Sequence, residues 1–284
     1  MKNAKTNRTI ANVLSHVFLT ILSIIWLLPV VWLIMQSFRA TPTGAFPKAI
    51  IPETWTISNY TRLFTETDLF NFPRWFMNTL VVAIASCILT TILTLLTAYA
   101  FSRLRFKARK PLMNVILILG MFPGFMSMIA VYHILKAIGL AQSLLSLVLV
   151  YSGGAAMGYY VAKGFFDTIP ASIDEAAMLD GATKNQIFWQ ITMPLSKPIV
   201  VYTILLAFTA PWGDYMFASV IAAGDSKLFN VAVGLQQLLT KESGVSGFPI
   251  FCAAGVIVSI PIMTLFFFLQ GYYVEGVTGG AVKG

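Results

Sequence analysis

A bundle of membrane-crossing α-helices is the fold class this sequence predicts, and three observations predict it. Charged residues make up only 11% of the 284, against roughly 25% in an ordinary soluble domain. Mean hydropathy is +0.79. The apolar residues fall in runs long enough to cross a hydrocarbon core, which takes about 20 residues in helical form. Inside lipid the backbone must satisfy its own hydrogen bonds, so runs of this length are read as helices. Period-2 alternation over about ten residues is missing, which excludes barrel strands. The expectation is an all-α integral membrane protein with six transmembrane helices.

The first expected span, 13–37, holds no Asp, Glu, Lys or Arg over 25 residues. Lys2, Lys5 and Arg8 precede it as in a signal peptide, but a signal core is only about 7–15 residues long. It is read as a retained helix. The others are expected near 78–101, 111–132, 143–162, 198–220 and 250–273. Gly120 and Gly124 frame one small-residue spacing and Gly154 and Gly158 another; both are expected to permit close helix packing. Cys87 and Cys252 each sit in an apolar run and read as small buried hydrophobes.

An even number of spans puts both ends on one side, and basic residues choose the side. The alternate loops and tails that include both termini carry 12 of the 19 Lys and Arg residues. The tightest cluster is Arg103, Arg105, Lys107, Arg109 and Lys110, in a short loop. Both termini and the segment 163–197 are therefore expected to face the cytoplasm, with the 38–77 loop outside. The organisation reads as 1–77 (tail, first helix, outer loop), 78–273 (membrane core) and 274–284 (cytoplasmic tail). The basic residues lie between apolar runs rather than on a folded basic domain, so no nucleic-acid partner is expected.

Segment 163–197 is polar between two greasy spans. Its local chemistry predicts two short helices. Ser172 with Glu175, and Thr183 with Gln186, have capping-box spacing. Pro170 suits a first turn, and Asp174 and Glu175 favour the positive end of a helix dipole. Gly181 permits a sharp turn, with Ile187, Phe188 and Ile191 on one face of the second helix and Pro194 and Pro198 ending it. Such an element could lie against lipid or dock in a groove of a partner.

The pattern E-A-A-x-x-x-G, nine residues, I-x-L-P resembles the EAA loop of permeases from ATP-binding-cassette (ABC) importers. It stands here as Glu175, Ala176, Ala177, Gly181, Ile191 and Pro194, with Met193 at the usual Leu. GFFDTIP before it, Asn59-Tyr60, Asn78-Thr79, the AVGLQQLL of 232–239 and the terminal GVTGGAVKG are similar to the carbohydrate-uptake branch, of the MalG-like maltose/maltodextrin type. The resemblance implies a type I importer permease fold and alternating access driven through the EAA loop as coupling helices. It implies a bacterial or archaeal cytoplasmic membrane. Its partners would be a second homologous permease, two ATP-binding cassette subunits and an external sugar-binding protein. ATP and Mg would be bound by those ATPase subunits and no cofactor by this chain. The tail from Gly276 to Gly284 would reach toward the ATPase interface.

The chain itself is not expected to be an enzyme. GATKNQ and GDSKLF lack the Gly-Lys-Ser/Thr end of a phosphate loop. His16 and His133 stand apart with no H-E-x-x-H, so no metal site is expected. The polar break at Trp212, Asp214 and Tyr215 is the candidate translocation pathway. An acid at membrane depth is costly and should face protein or water, and Pro211 and Gly213 could open a cavity. A secondary carrier is the poorer reading, because internal repeats and several buried charges are not evident. A permease for another solute, such as glycerol phosphate, is the nearer alternative.

Overall fold

The computed structural model describes residues 2–40, 50–68, 70–154, 156–241 and 247–281. Among them the structure is helical, with one isolated bridge between Arg39 and Trp55 in place of any strand. The helices are α1 (Lys2–Ser37), α2 (Ser58–Thr65), α3 (Phe72–Arg103), α4 (Arg109–Gly120), α5 (Gly124–Ala137), α6 (Leu144–Gly153) and α7 (Ala156–Thr168). They continue as α8 (Ala171–Leu179), α9 (Lys184–Leu195), α10 (Lys197–Gly213), α11 (Met216–Ala222), α12 (Val231–Lys241) and α13 (Phe248–Ala281). The chain divides into two compact units, Met1–Asn71 with Leu235–Ile257, and Phe72–Gly234 with Val258–Gly284.

Among the described residues, three helical stretches are long and apolar enough to cross a membrane: Ile10–Ser37, Phe72–Arg103 and Phe248–Tyr272. Two bent pairs raise the number to as many as five: Leu144–Gly153 with Gly158–Thr168 at 42°, and Lys184–Leu195 with Lys197–Gly213 at 83°. The stretch expected as one span at 111–132 is two helices, α4 and α5, parted at Met121–Pro123. Pro123 cannot donate to the helical ladder, and its ψ of 126° is extended, so it starts α5 instead of continuing α4. The stretch at 198–220 is likewise broken, at Asp214.

In the first unit, the outer segment is tied to the end of α1. Asn59 Nδ2 donates to the carbonyls of Ser37 and Arg39 at 2.9 and 2.8 Å. The Ser37 and Tyr60 hydroxyls share a 2.6 Å hydrogen bond, and the Phe38 ring meets those of Tyr60 and Trp55 in tilted contacts, at 5.1 and 6.4 Å between centroids. Trp32 meets Phe248 at 5.7 Å between ring centroids.

In the second unit α3 is central. It is flanked by α6, α7 and α10, and 44% of its spanning window is buried against none of α1's. One apolar cluster joins Leu95, Ala98, Tyr99 and Phe101 of α3 to Tyr159, Ala162 and Phe166 of α7 and to Phe188 and Ile199. A second joins Ala83 and Cys87 to Phe208 and Trp212. Cys87 and Cys252 are both buried and free. Of Gly124, Gly154 and Gly158, only Gly158 lies against another helix, with Thr94 Cγ2 3.7 Å from where a Cβ would stand; Gly124 faces open space and Gly154 meets only the Val150 carbonyl of the turn before it. Gly120, Gly124 and Gly154 flank helix breaks instead.

Candidate functional site

The polar loop after α7 folds as two helices, α8 and α9, joined at residues 180–183. Pro170, with ψ 130°, takes the N-cap of α8, and no side chain caps that end. Ser172 is therefore one residue inside the helix and exposed, and the capping box expected from Ser172 and Glu175 does not form. With Pro170 at the N-cap the helix starts two residues earlier than it would from Ser172. At the other end the chain closes in a Schellman motif. Gly181 N–H donates to Met178 O at 3.1 Å, and Ala182 N–H to Ala177 O at 2.9 Å. That motif needs a left-handed residue, and Gly181 supplies it with φ +86°. A Cβ on Gly181 would meet nothing within 4 Å.

Thr183 caps α9. Its Oγ1 accepts from Gln186 N–H at 3.3 Å, and Gln186 Oε1 accepts from Thr183 N–H at 2.8 Å. Residues Ile187–Thr192 then form a π-helix. The wider turn moves the buried face: Ile187, Phe188 and Thr192 are buried, whereas Ile191 is half-exposed. The single face expected from Ile187, Phe188 and Ile191 is thereby corrected by one residue. Pro194 lies exposed within α9, and the break comes at Ser196, with Pro198 in the first turn of α10.

On α8, Glu175 and Ala176 face outward, Ala177 is buried, and Leu179 is 89% exposed beside Met178. Asp174 faces inward. Its Oδ2 lies 3.3 Å from Nε of Arg103, and both side chains are nearly buried. Arg103 Nη2 also donates to the carbonyls of Phe166 and Ile169, at 2.8 and 2.7 Å. On the same end of α3, Tyr99 packs edge-on against Phe188 at 4.8 Å. Beside them Ser102 and Lys163 both donate to Asp167, at 2.6 Å each.

In the same unit, a cavity of about 890 Å³ is walled mainly by α3, α5, α6, α10 and α11. Thr90, Thr94, Ser127, Thr203, Tyr151, Tyr202 and Asp214 are its polar lining, among mostly apolar side chains such as Met128 and Leu206. Asp214 sits at the break between α10 and α11. Its Oδ2 accepts from Tyr151 Oη at 2.6 Å and its Oδ1 from Phe217 N–H at 3.0 Å. A helix broken in a membrane leaves carbonyls without partners. Here Asn230 Nδ2 donates to two of them, Pro211 O at 3.2 Å and Asp214 O at 2.7 Å. Asn230 Oδ1 in turn accepts from Val233 N–H at 2.9 Å. Asn78 Nδ2 donates to Lys227 O and Phe229 O, and Thr79 Oγ1 accepts from Val231 N–H at 2.8 Å, so α3 holds the 227–231 turn.

Of the three residues expected at the pathway, only Asp214 lines the cavity. Trp212 is buried against Ala83, Cys87 and Phe208, and Tyr215 is exposed away from the lining. Arg103, Tyr99, Tyr151 and Asn230 were not singled out from the sequence for these sites. Arg103 counted there only as one of a basic run; what marks it is its position on the last turn of a span.

The comparisons agree on one family. The model of "binding-protein-dependent transport system inner membrane component" matches residues 90–279. The maltodextrin transport system permease protein MdxG of Bacillus subtilis is 36% identical over 99% of this chain and all of its own length. The galactooligosaccharides transport system permease protein GanQ of the same bacterium is 33% identical over the full length of both. A crystal structure of a bacterial ABC transporter involved in the import of the acidic polysaccharide alginate contains a chain of the same fold, with a TM-score of 0.77 and 22% identity over 93% of this chain and 96% of that one. Because the family match takes in the whole α8–α9 loop and every described residue that lines the cavity, and because the relatives align along nearly the entire sequence, this protein belongs to the family of binding-protein-dependent transport system inner membrane components.

Proposed function

We propose that this chain is one permease subunit of an ABC importer for an oligosaccharide of the maltodextrin class. Its working complex would hold a second homologous permease, two ATPase subunits and an external sugar-binding protein. Six spans result when α4 and α5 are taken as one broken crossing and α10 with α11 as another, with both termini and the α8–α9 loop in the cytoplasm. Glu175, Ala176, Ala177, Gly181, Ile191 and Pro194 form the coupling element. The observation that carries this is the protruding elbow itself: a short helix closed by a left-handed Gly181, with Glu175, Ala176 and Leu179 outward and the inner side fastened to the spans. Large exposed apolar side chains on a polar loop mark a docking face. ATP and loaded binding protein would each favour one state of the bundle, and that differential affinity turns the cycle.

Asp214 and Tyr151 are the candidate polar contacts on the pathway, since both line the cavity and a saccharide needs acceptors and donors for its hydroxyls. The substrate class follows the maltodextrin permease at 36% identity; galactooligosaccharides are the second reading, from the permease at 33%. The test is reconstitution of the complete complex in proteoliposomes. ATP-dependent uptake of maltotriose that requires the binding protein supports the proposal. Accumulation of saccharide by this subunit alone, without nucleotide, refutes it. Titration of the binding protein with maltodextrins and galactooligosaccharides decides between the substrates.

A further inference from the structure

Helix α3 is bonded to both candidate sites. At its cytoplasmic end Arg103 grips the last turn of α7 through two carbonyls and α8 through Asp174, while Tyr99 packs on Phe188 of α9. At its other end Asn78 and Thr79 hold the turn from Lys227 to Val231. That turn carries Asn230, whose amide holds the α10–α11 break beside the cavity. From Thr79 to Arg103 the helix runs 24 residues without interruption, about 36 Å at 1.5 Å per residue.

We infer that Arg103 is a positioning residue of the transport cycle: its guanidinium fastens α8 to α3, so that displacement of the α8–α9 loop moves α3 and, through Asn78 and Thr79, the wall of the cavity. The inference rests on the coupling role proposed for that loop. The chemistry suits a rigid joint. A guanidinium is planar and holds its groups in fixed directions: here Nη2 donates to both carbonyls, while Nε meets the Asp174 carboxylate as an ion pair at 3.3 Å without a hydrogen bond. Asp174 Oδ1 is buried with no hydrogen-bond partner, so the carboxylate depends on Arg103. Without the guanidinium, the one cation it meets among the described residues is gone and two carbonyls lose a donor. The loop could then shift without carrying α3. Lysine would keep the charge but not the three-way geometry.

The experiment uses the complete complex in proteoliposomes and reads saccharide transported per ATP hydrolysed. Arg103→Gln is expected to lower that ratio at least tenfold while ATP hydrolysis continues. Arg103→Lys should fall between it and the unaltered complex. Asp174→Asn is expected to lower the ratio alone, yet to add little in the Arg103→Gln background, since both remove one joint. Exchange of the pair, Arg103→Asp with Asp174→Arg, is not expected to restore the ratio, because an aspartate cannot donate to Phe166 and Ile169. If Arg103→Gln fails to assemble, Asp174→Asn, which keeps both carbonyl bonds, is read in its place. An unchanged ratio in assembled Arg103→Gln, or in assembled Asp174→Asn when that stand-in is needed, overturns the inference, as does full restoration by the exchange. If the unaltered complex couples no uptake to ATP, the proposed function fails instead.

Discussion

Replacing Gly234 by alanine puts a methyl group where there is no room. A Cβ built there stands 2.1 Å from both Cδ2 and Cε3 of Trp75. Carbon atoms rest at about 3.5–4.0 Å, so the overlap is roughly 1.5 Å. The indole cannot swing aside cheaply: Trp75 is only 4% exposed and lies against Phe229 with ring centroids 6.4 Å apart. Nor can α12 retreat, because Val231 N–H is bonded to Thr79 Oγ1 at 2.8 Å. The cost should reach the top of the overpacking range, about 3 kcal/mol. At about 2–4 °C per kcal/mol for a chain of this size, the apparent Tm falls by roughly 6–12 °C. The assay is thermal unfolding of the purified complex in detergent, followed by intrinsic fluorescence. Gly213→Ala is the control, since a Cβ there meets nothing within 4 Å. Trp75→Leu in the Gly234→Ala background should recover part of the loss. Equal midpoints for Gly234→Ala and Gly213→Ala would refute the packing argument.

Three further outcomes follow from the geometry. Gly181→Asp should leave assembly intact and abolish ATP-driven uptake, because the left-handed backbone strain is of order 1 kcal/mol and the side chain meets nothing in its own chain, so the damage lies at the partner's face; normal uptake in assembled complex counts against the docking role. Asn230→Asp keeps the oxygen that caps α12 but loses the two donations to Pro211 and Asp214, and a stability loss of about 2–4 kcal/mol in detergent unfolding is expected, against a near-neutral result if those carbonyls have other partners. Thr183→Ala should cost about 1 kcal/mol and Ser172→Ala nearly nothing, as only Thr183 caps a helix; a reversed order in the same unfolding assay would contradict the placement of Pro170.

Hydropathy made α1, α3 and α13 legible, because each is one apolar run. It could not divide 111–132 or 198–220, since averaging over a window does not register where Pro123 or Asp214 interrupts the backbone. The loop was legible through local chemistry where that chemistry is specific: a glycine that must be left-handed, and a threonine and glutamine three residues apart. It failed at Ser172, where Pro170 competes for the same cap. It failed also at Ile191, where a π-helix adds a residue that no periodicity announces. Arg103 was hidden because a buried guanidinium and a solvated one have the same letter, and the basic run around it already had a sufficient explanation. The tail was out of reach in another way: α13 continues to Ala281, while the end of the expected 276–284 contact lies outside the described residues.

The π-helix of α9 makes that segment respond unequally to losing and to gaining a residue. Each residue of an ordinary helix advances the chain by about 100° around its axis. Deleting any single residue between Ile187 and Thr192 would let the bulge collapse to normal pitch. The 83° corner that follows would then leave in almost the same direction. Inserting one has no such refuge: the stretch already holds its surplus, and the next helix would start from the wrong side. Indel scanning across this stretch should therefore be lopsided, with shortening survived more often than lengthening.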